Sequence, residues 1–505
     1  MFPNGWVYSQ IKNSIRKTPI VFFGLFQLLL FLPALKHSNP WSDDWGYIFF
    51  VDDDTRNIVR DAIAAGRPIL GFIVQLTYQS EFIKGNLILL QLLSLLGILT
   101  LQMSIYSKLK IAKFGGLVQY LTALAVVLIP GFQGYVYFLS CFPYSWACLL
   151  GFLSYDLINN GSKKQIVIGI IFLVLSFLIY PAGAMFYFVS YFIDYIPRYK
   201  RDELFRRNIN HFINIFLKLV GCSALSFVIA NFTRIQFGIE QATRIELVNN
   251  LEALIDKFYW VVTRLFVSEF RIFTVASPSP LQAAFESFFV FSLITLFIFK
   301  PFKRWTLNRF LNFGFMLVIP LFGALPNLVI RENQFEFRTL TSLFTMSLML
   351  WSYTVSAMAQ SFLQNRFLNS RFSLQIISRV TQIILIITIF FAAFQVQQDS
   401  RNLWIGPSLA RDKITVNVLR DVNPVGEEPI CMVIPKKLFE PLDRLGIYSM
   451  KSDLLSFWVP DPYMRQQLKN LKLFPHRQII VLESRGECPA SSILADYGAL
   501  RVNFD

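Results

Sequence analysis

Six aspartates fall within nineteen positions near the start of the chain, from Asp43 to Asp61. Asp43 and Asp44 are adjacent and stand between Trp41 and Trp45, in the stretch SNPWSDDWGY. Because indole rings favour the boundary between lipid and water, this pair is expected at the depth of lipid headgroups. Neighbouring carboxylates beside apolar surface raise each other's pKa, and a carboxylate with a raised pKa suits general-base catalysis. A solvated acidic turn is the alternative interpretation of the pair.

The second acidic group, Asp52–Asp54, directly precedes the stretch TRNIVRDAIAA. Four apolar residues recur there at helical spacing: Ile58, Val59, Ala62 and Ile63. Acidic residues at a helix start accept hydrogen bonds from its free N–H groups and suit the positive end of its dipole. Capping therefore accounts for this group, while Asp52 and Asp53 stand as the alternate candidates for a catalytic pair.

The rest of the chain is dominated by apolar residues. Of its 505 residues, 54% are hydrophobic and only 16% are charged, whereas soluble domains carry about 25% charged residues. Apolar runs near the length of a membrane-crossing helix, about 20 residues, recur along the chain. The sequence predicts an α-helical multi-pass membrane protein with eleven spans, at 19–35, 86–106, 114–130, 136–157, 166–180, 181–196, 212–232, 281–299, 310–329, 339–360 and 380–396.

Basic residues give the predicted orientation of these spans. With the N-terminus in the cytoplasm, the short cytoplasmic segments carry 20 Lys and Arg residues, against 12 in the longer outer loops. Excess positive charge marks cytoplasmic loops. The loops 36–85 and 233–280 and the tail from 397 are therefore expected on the periplasmic or extracellular side of the cell membrane. The net charge of +15 is interpreted as anchoring to anionic lipid rather than as a nucleic-acid surface.

Several site classes are missing from the sequence. Neither of the glycine-rich patterns GxxxxGK[ST] and GxGxxG, which bind nucleotide phosphates, is present. The three histidines, His37, His211 and His476, are far apart, so no HExxH motif or His/Cys cluster is available for a metal. The sequence therefore predicts no metal site, no cofactor and no nucleic-acid partner.

Two outer segments have their own structural signals. The tail, 397–505, alternates short apolar stretches with an amphipathic one: PICMVIP and RQIIVLES predict buried strands, and DPYMRQQLKNLKL predicts a helix. A small soluble α/β domain is expected there, separate from the membrane domain 1–396. In the loop 233–280, the stretch RIELVNNLEALIDKFYWVV predicts an amphipathic helix that lies in the membrane interface or covers a cavity.

The layout of the chain resembles that of the polytopic GT-C glycosyltransferases. More narrowly, it resembles the bacterial GtrII-type glucosyltransferases that modify O-antigen, a part of lipopolysaccharide. In that family an acidic pair in the first outer loop is followed by GRP, which Asp43–Gly46 and Gly66–Pro68 match here. A second alignment places the acidic pair on Asp52 and Asp53, with Arg56 following.

This resemblance implies a hexosyltransferase that takes a sugar, with glucose the first expectation, from a polyprenyl-phosphate donor. An outer-loop aspartate would deprotonate a hydroxyl of a cell-surface glycan or lipid-linked acceptor, which attacks the anomeric carbon with inversion. The departing phosphate needs cations, and the outer-side candidates are Arg338, Arg331 and Arg67. Tyr180 and Trp45 are expected in the donor and acceptor pocket. The resemblance implies a more polar residue after this tyrosine, whereas Tyr180 is followed by a proline.

Other classes of membrane protein remain as alternatives. A flippase or transporter of lipid-linked oligosaccharide would place charges near the middle of the spans, and here most charges lie in the outer loops. A membrane acyltransferase needs a histidine base, and only His37 is expected at the outer interface. A surface-polysaccharide polymerase shares the chemistry of glycosyl transfer, so the sequence leaves that alternative open.

Overall fold

The computed structural model describes the following residues: 19–38, 40, 44, 58–112, 114, 116–200, 203–240, 250–260, 306–330, 337–364, 371–405, 430–433, 479–482 and 493–496. The predicted span 281–299 lies outside them, as does the predicted tail helix. Up to residue 405, the described chain is largely helical.

Twelve described helices lie between residues 19 and 200. They are α1 (Pro19–Leu30), α2 (Leu32–Lys36), α3 (Ile58–Ala64), α4 (Pro68–Gln79), α5 (Glu81–Lys84), α6 (Ile88–Ile111), α7 (Gly116–Ala125), α8 (Pro130–Tyr137), α9 (Phe142–Asn160), α10 (Lys163–Ile179), α11 (Pro181–Ala184) and α12 (Phe186–Lys200). Two 3₁₀ turns lie on either side of α8, at Val126–Leu128 and Leu139–Cys141.

The described helices that follow α12 include the longest one in the described part of the chain. They are α13 (Phe205–Gln236), α14 (Leu251–Trp260), α15 (Leu307–Val318), α16 (Leu325–Val329), α17 (Thr341–Gln364) and α18 (Arg371–Asp399). The 3₁₀ segment Ile319–Ala324 joins α15 to α16, another (Phe337–Leu340) precedes α17, and a π-helix (Ser400–Ile405) ends α18.

Three described stretches are long and apolar enough to cross a membrane: Ile88–Ile111, Phe205–Gln236 and Leu307–Val329. They coincide with three of the predicted spans. A fourth crossing results if Gly116–Leu128 and α8, which meet at a bend of 50°, form one broken span. The several apolar helices are those of a multi-pass membrane protein. The loop expected at 131–135 is helical instead, because α8 occupies it.

The long apolar run 166–196 is interrupted at Tyr180, as its sequence predicts, and continues as α11 and α12. Tyr180 adopts extended backbone angles, φ −156° and ψ 102°, and Pro181 begins the next helical turn. A proline restricts the residue before it to extended conformations and cannot donate a hydrogen bond into the preceding helix. Helix α10 therefore ends at Ile179.

The chain reverses its direction at this break. Helix α10 packs antiparallel to α9, and its Ser176 hydroxyl donates to the Ala147 carbonyl oxygen at 2.7 Å. Helix α12 then returns along α9, which brings the Tyr187 ring to 5.4 Å from the Tyr155 ring, between centroids. Helices α9 and α12 thus run in the same direction.

The C-terminal ends of α6, α9 and α12 meet around one buried cation. Lys108 donates to Asp156 and lies 3.3 Å from Asp194, and its ammonium group stands over the Tyr155 ring at 4.4 Å. A buried charge is tolerated when it is paired, so this contact holds three helix ends together. This end of the molecule is called the Lys108 end, and the opposite one, where α9 begins, the Asp44 end.

Near the middle of α9, its backbone closely approaches that of α11. A Cβ atom at Gly151 would lie 2.7 Å from the Gly183 carbonyl oxygen and 3.0 Å from the Ala184 Cα. Real Cβ atoms do not come this close to backbone. Glycine at this position therefore permits the contact between α9 and the reversal that follows Tyr180.

In the tail, three described strands form a parallel sheet in the order β2–β1–β3. They are β1 (Ile430–Val433), β2 (Ile479–Leu482) and β3 (Ile493–Asp496). Two of them lie in the stretches predicted as strands, whereas β3 was not expected. The α/β tail domain itself stays a prediction, because most of the tail lies outside the described residues.

Substitution of Gly151 tests the close helix contact. We expect Gly151→Ala to lower the stability of the detergent-purified protein by about 1–3 kcal/mol, the usual effect of overpacking. The matched control is Gly221→Ala in α13, where a Cβ atom meets nothing within 4 Å and alanine is the better helix former. Thermal unfolding measures both. An unfolding temperature for Gly151→Ala equal to that of the control would contradict the contact.

Candidate functional site

A break in the helical backbone lies at the Asp44 end, between α7 and α9. Broken helices leave backbone groups without partners, and these groups cannot turn to water inside a membrane. Side chains of α6 supply some of the missing bonds. Gln102 donates to the carbonyl oxygens of Ala123 (3.0 Å) and Leu124 (3.2 Å), and the Ser94 hydroxyl donates to that of Tyr135 (2.8 Å).

Asp44 supplies two further bonds to the same break. Its Oδ2 accepts a hydrogen bond from the Leu139 N–H at 2.9 Å, and its Oδ1 accepts one from the Ser140 N–H at 2.8 Å. The side chain is fully buried. Backbone N–H groups stabilise a carboxylate charge as they do at a helix N-cap. Asp44, which lies between α2 and α3 in the chain, is therefore bound to the turn from which α9 starts.

Arg338 approaches the same turn from the start of α17. Its guanidinium carbon stands 5.2 Å from the centre of the Phe138 ring, and its Nη1 lies 3.8 Å from the Cys141 Sγ. The Arg338 carbonyl oxygen accepts a hydrogen bond from the Tyr135 hydroxyl at 2.9 Å. Both the side chain and the backbone of Arg338 are thus held by the broken segment.

The GRP motif forms a corner between α3 and α4. Gly66 has a φ of +72°, which favours glycine, and the Arg67 N–H donates to the Ala62 carbonyl oxygen at 2.8 Å. Pro68 then occupies the first turn of α4, where its missing N–H costs no hydrogen bond. The corner directs the Arg67 guanidinium over the Tyr180 ring, 5.5 Å from its centre.

Aromatic rings connect Tyr180 with the broken segment. Tyr144 stacks on Tyr180 with 3.8 Å between ring centres and an angle of 1° between their planes. Tyr135 meets both rings edge-on, at 5.7 Å from Tyr144 and 6.1 Å from Tyr180. The segment Tyr135–Tyr144 is called the site segment below. It contacts Asp44, Arg338 and Tyr180 directly, and it is connected with Arg67 through the Tyr180 ring.

The site segment brings one carboxylate and two guanidinium groups to the same region of the molecule. Both cations rest on aromatic rings, which attract positive charge through their faces. The Nε of Arg67 is buried, with no hydrogen-bond partner among the described residues. Guanidinium groups offer parallel N–H donors that match phosphate and carboxylate oxygens. This arrangement has the chemistry to bind an anionic group.

Five of the predicted site residues lie outside the described part of the chain: Asp43, Trp45, Asp52, Asp53 and Arg331. Asp43 and Trp45 adjoin Asp44 in the sequence, and Arg331 follows the last described residue after α16. Their roles stay predictions. The described candidates Asp44, Arg67, Arg338 and Tyr180 come together although they are up to 294 positions apart, from residue 44 to residue 338.

The sequence analysis missed a second buried carboxylate at the end of α18. Asp399 is 2% exposed, and its Oδ1 accepts a hydrogen bond from Gln395 at 2.9 Å. The Tyr137 hydroxyl, at the end of α8, lies near Asp399 and Ser400. In the sequence this aspartate looked like the polar end of a span, and only its packing against α8 connects it with the site segment.

No group of three or more His, Cys, Asp or Glu side chains in the described part of the chain is arranged to hold a metal ion. Three cysteines of the helical part, Cys141, Cys148 and Cys222, are buried free thiols. Because most of the acidic loop lies outside the described residues, the prediction of a metal-free site stays untested.

The anchoring role of Asp44 can be measured without a substrate. Asp44→Asn replaces one acceptor oxygen by an NH₂ group, which leaves a buried backbone N–H without an acceptor at a cost of about 1–3 kcal/mol. We therefore expect a lower unfolding temperature for the purified variant. Asp256→Asn, at an exposed position of α14, is the control and should unfold like the unsubstituted protein. Equal unfolding temperatures for all three proteins would exclude the anchor.

In comparisons with known proteins, no protein-family model matches the chain and no curated protein matches it.

Proposed function

We propose that the chain is a membrane glycosyltransferase of the GT-C type. It transfers a sugar, with glucose the first expectation, from a polyprenyl-phosphate donor to a cell-surface glycan or lipid-linked acceptor. The observation that supports this proposal best is the meeting of Asp44, Arg67, Arg338 and Tyr180 around the site segment. A carboxylate and two cations close to the end of a helical bundle suit a lipid substrate that carries a phosphate.

The proposed topology has eleven spans, a cytoplasmic N-terminus and a tail outside the cell membrane. Two features of the described helices support it. The Lys108 end also contains the basic starts of α10, at Lys163 and Lys164, and of α13, at Arg206 and Arg207. Positive loops favour the cytoplasm. The Asp44 end then faces outward, on the side where a flipped lipid-linked sugar presents its headgroup.

In the proposed reaction, an outer-loop aspartate accepts the proton of an acceptor hydroxyl. The acceptor oxygen attacks the anomeric carbon, the bond from that carbon to the donor phosphate oxygen breaks, and polyprenyl phosphate leaves with the bonding electrons. The attack occurs opposite the leaving group, so the anomeric configuration inverts. Arg338 and Arg67 stabilise the phosphate, whose charge grows as the bond breaks.

The two members of the acidic pair differ in what they can contribute. Both oxygens of Asp44 accept backbone N–H groups, and these bonds hold its carboxylate beside the site segment. Asp43 lies outside the described residues. We propose Asp43 and Asp44 together as the source of the base, with Asp52 and Asp53 as the alternates.

Replacement of the acidic residues distinguishes the two alignments. We expect Asp43→Asn and Asp44→Asn to lower sugar transfer per folded molecule by about 10²–10⁴-fold, because an amide cannot accept the proton. Transfer is measured with a synthetic polyprenyl-phosphate sugar and purified acceptor lipid. Asp256→Asn serves as the control.

Two outcomes would contradict the proposed base or the proposed reaction. Unchanged transfer by both variants, together with loss in Asp52→Asn or Asp53→Asn, would move the base to the second acidic group. Translocation of the lipid-linked sugar without a new glycosidic bond would instead favour a flippase.

Arg338→Lys tests the phosphate site. Lysine keeps the charge but loses the planar pair of N–H donors and the flat contact with the Phe138 ring. We expect normal expression, weaker donor binding and loss of most activity, with a milder effect for Arg331→Lys. The control is Arg207→Lys, an exposed cation at the Lys108 end. Donor affinity and turnover that match the control would remove Arg338 from the site.

A further inference from the structure

Helix α14 turns a charged residue inward and apolar residues outward. Lys257 is only 4% exposed and Trp260 is buried beside it. Four apolar side chains on the other face are more than half exposed: Leu251, Leu254, Ile255 and Tyr259. A surface helix in water has the reverse arrangement, because apolar side chains stabilise the fold by leaving water. The outer face of α14 therefore requires apolar surroundings.

The contacts of Lys257 indicate how deep α14 lies in the membrane. Its ammonium group donates to the Asn327 carbonyl oxygen at 3.0 Å. Asn327 lies two residues before the end of the membrane-crossing stretch Leu307–Val329. The same ammonium group stands 4.9 Å from the centre of the Trp260 ring, and tryptophan favours the membrane interface. Helix α14 is thus held at the level where a spanning segment leaves the hydrocarbon.

The length and flanking charges of α14 fit an orientation along the membrane surface. Its ten described residues extend about 15 Å, which is half of the roughly 30 Å hydrocarbon core. Glu252 and Asp256 are exposed on the flank between the apolar face and the protein, where headgroups and water would solvate them. Burial lowers the pKa of the Lys257 ammonium group, as expected for a cation withdrawn from water.

We propose that α14 is a membrane-docking helix whose apolar face binds the acyl chains of the leaflet beside the Asp44 end, and that Lys257 latches it to Asn327. The latch continues toward the candidate site, because the Asn327 amide donates to the Thr339 hydroxyl at 2.8 Å. Thr339 adjoins Arg338. A lipid-embedded surface is therefore joined to the candidate anion-binding arginine, whether or not the protein transfers sugars.

Site-directed fluorescence quenching tests the docking directly. A bimane probe is attached to Leu254→Cys or, as the matched control, to Glu252→Cys, with Cys431 and Cys488 replaced by serine. The full chain is reconstituted in phosphatidylcholine vesicles. We expect lipid-borne doxyl groups to quench the probe at 254 several-fold more strongly than aqueous iodide does, and the reverse order at 252.

Two results would overturn the proposal. Strong quenching at 254 by iodide and none by doxyl lipid would place the apolar face in water. If neither quencher reaches 254, the face is covered by protein, either the tail or a second copy of the chain. Because no sugar transfer is measured, this result is independent of the proposed enzymatic activity.

Substitution of Lys257 tests the latch. Lys257→Met keeps the side-chain length but removes the donor to Asn327. We expect a lower anisotropy for the probe at 252, as α14 gains mobility, while lipid quenching at 254 persists because the apolar face is unchanged. Lys163→Met, at an exposed lysine of the Lys108 end, is the control. An anisotropy in Lys257→Met equal to that of the control would exclude the latch.

Discussion

The structure depends on one constraint, which is that backbone groups inside a bilayer need partners other than water. The chain between α7 and α9 departs from regular helix, and side chains compensate for several of the described departures. Gln102 and Ser94 donate to exposed carbonyl oxygens, and Asp44 accepts from two N–H groups. The fold therefore requires the Asp44 carboxylate, which is also a candidate for chemistry. The break that needs Asp44 also brings the Phe138 ring against the Arg338 guanidinium group.

The two ends of the molecule neutralise buried charge by different means. At the Lys108 end, opposite charges compensate each other, and the result is a closed cluster that ties three helices together. At the Asp44 end, the carboxylate is stabilised by neutral backbone dipoles and the guanidinium groups by aromatic faces. The first arrangement joins three helix ends, and the second places a carboxylate and two cations around the site segment.

The sequence predicted a feature that depends on local chemistry, the break at Tyr180, which follows from the proline after it. The roles of Asp44, Arg67 and Arg338, and the side of the membrane on which they lie, stay predictions. The bend within the predicted spans 114–130 and 136–157 could not be predicted. An apolar run contains no periodic signal that separates a straight helix from a broken one, and the partners that permit the bend, such as Gln102, are distant in sequence. Asp399 was missed for the same reason, since its relation to Tyr137 exists only after packing.

The order of strands in the tail has a consequence for synthesis. Strand β1 is made first but occupies the centre of the sheet, with Ile430 paired to Ile479 and to Ile493. Its two described pairing partners begin 49 and 63 positions later in the chain. Contacts at such separation form slowly. While the ribosome completes this interval, the membrane helices that precede it already have their full length. Pairing of the described tail strands is thus a late event in synthesis.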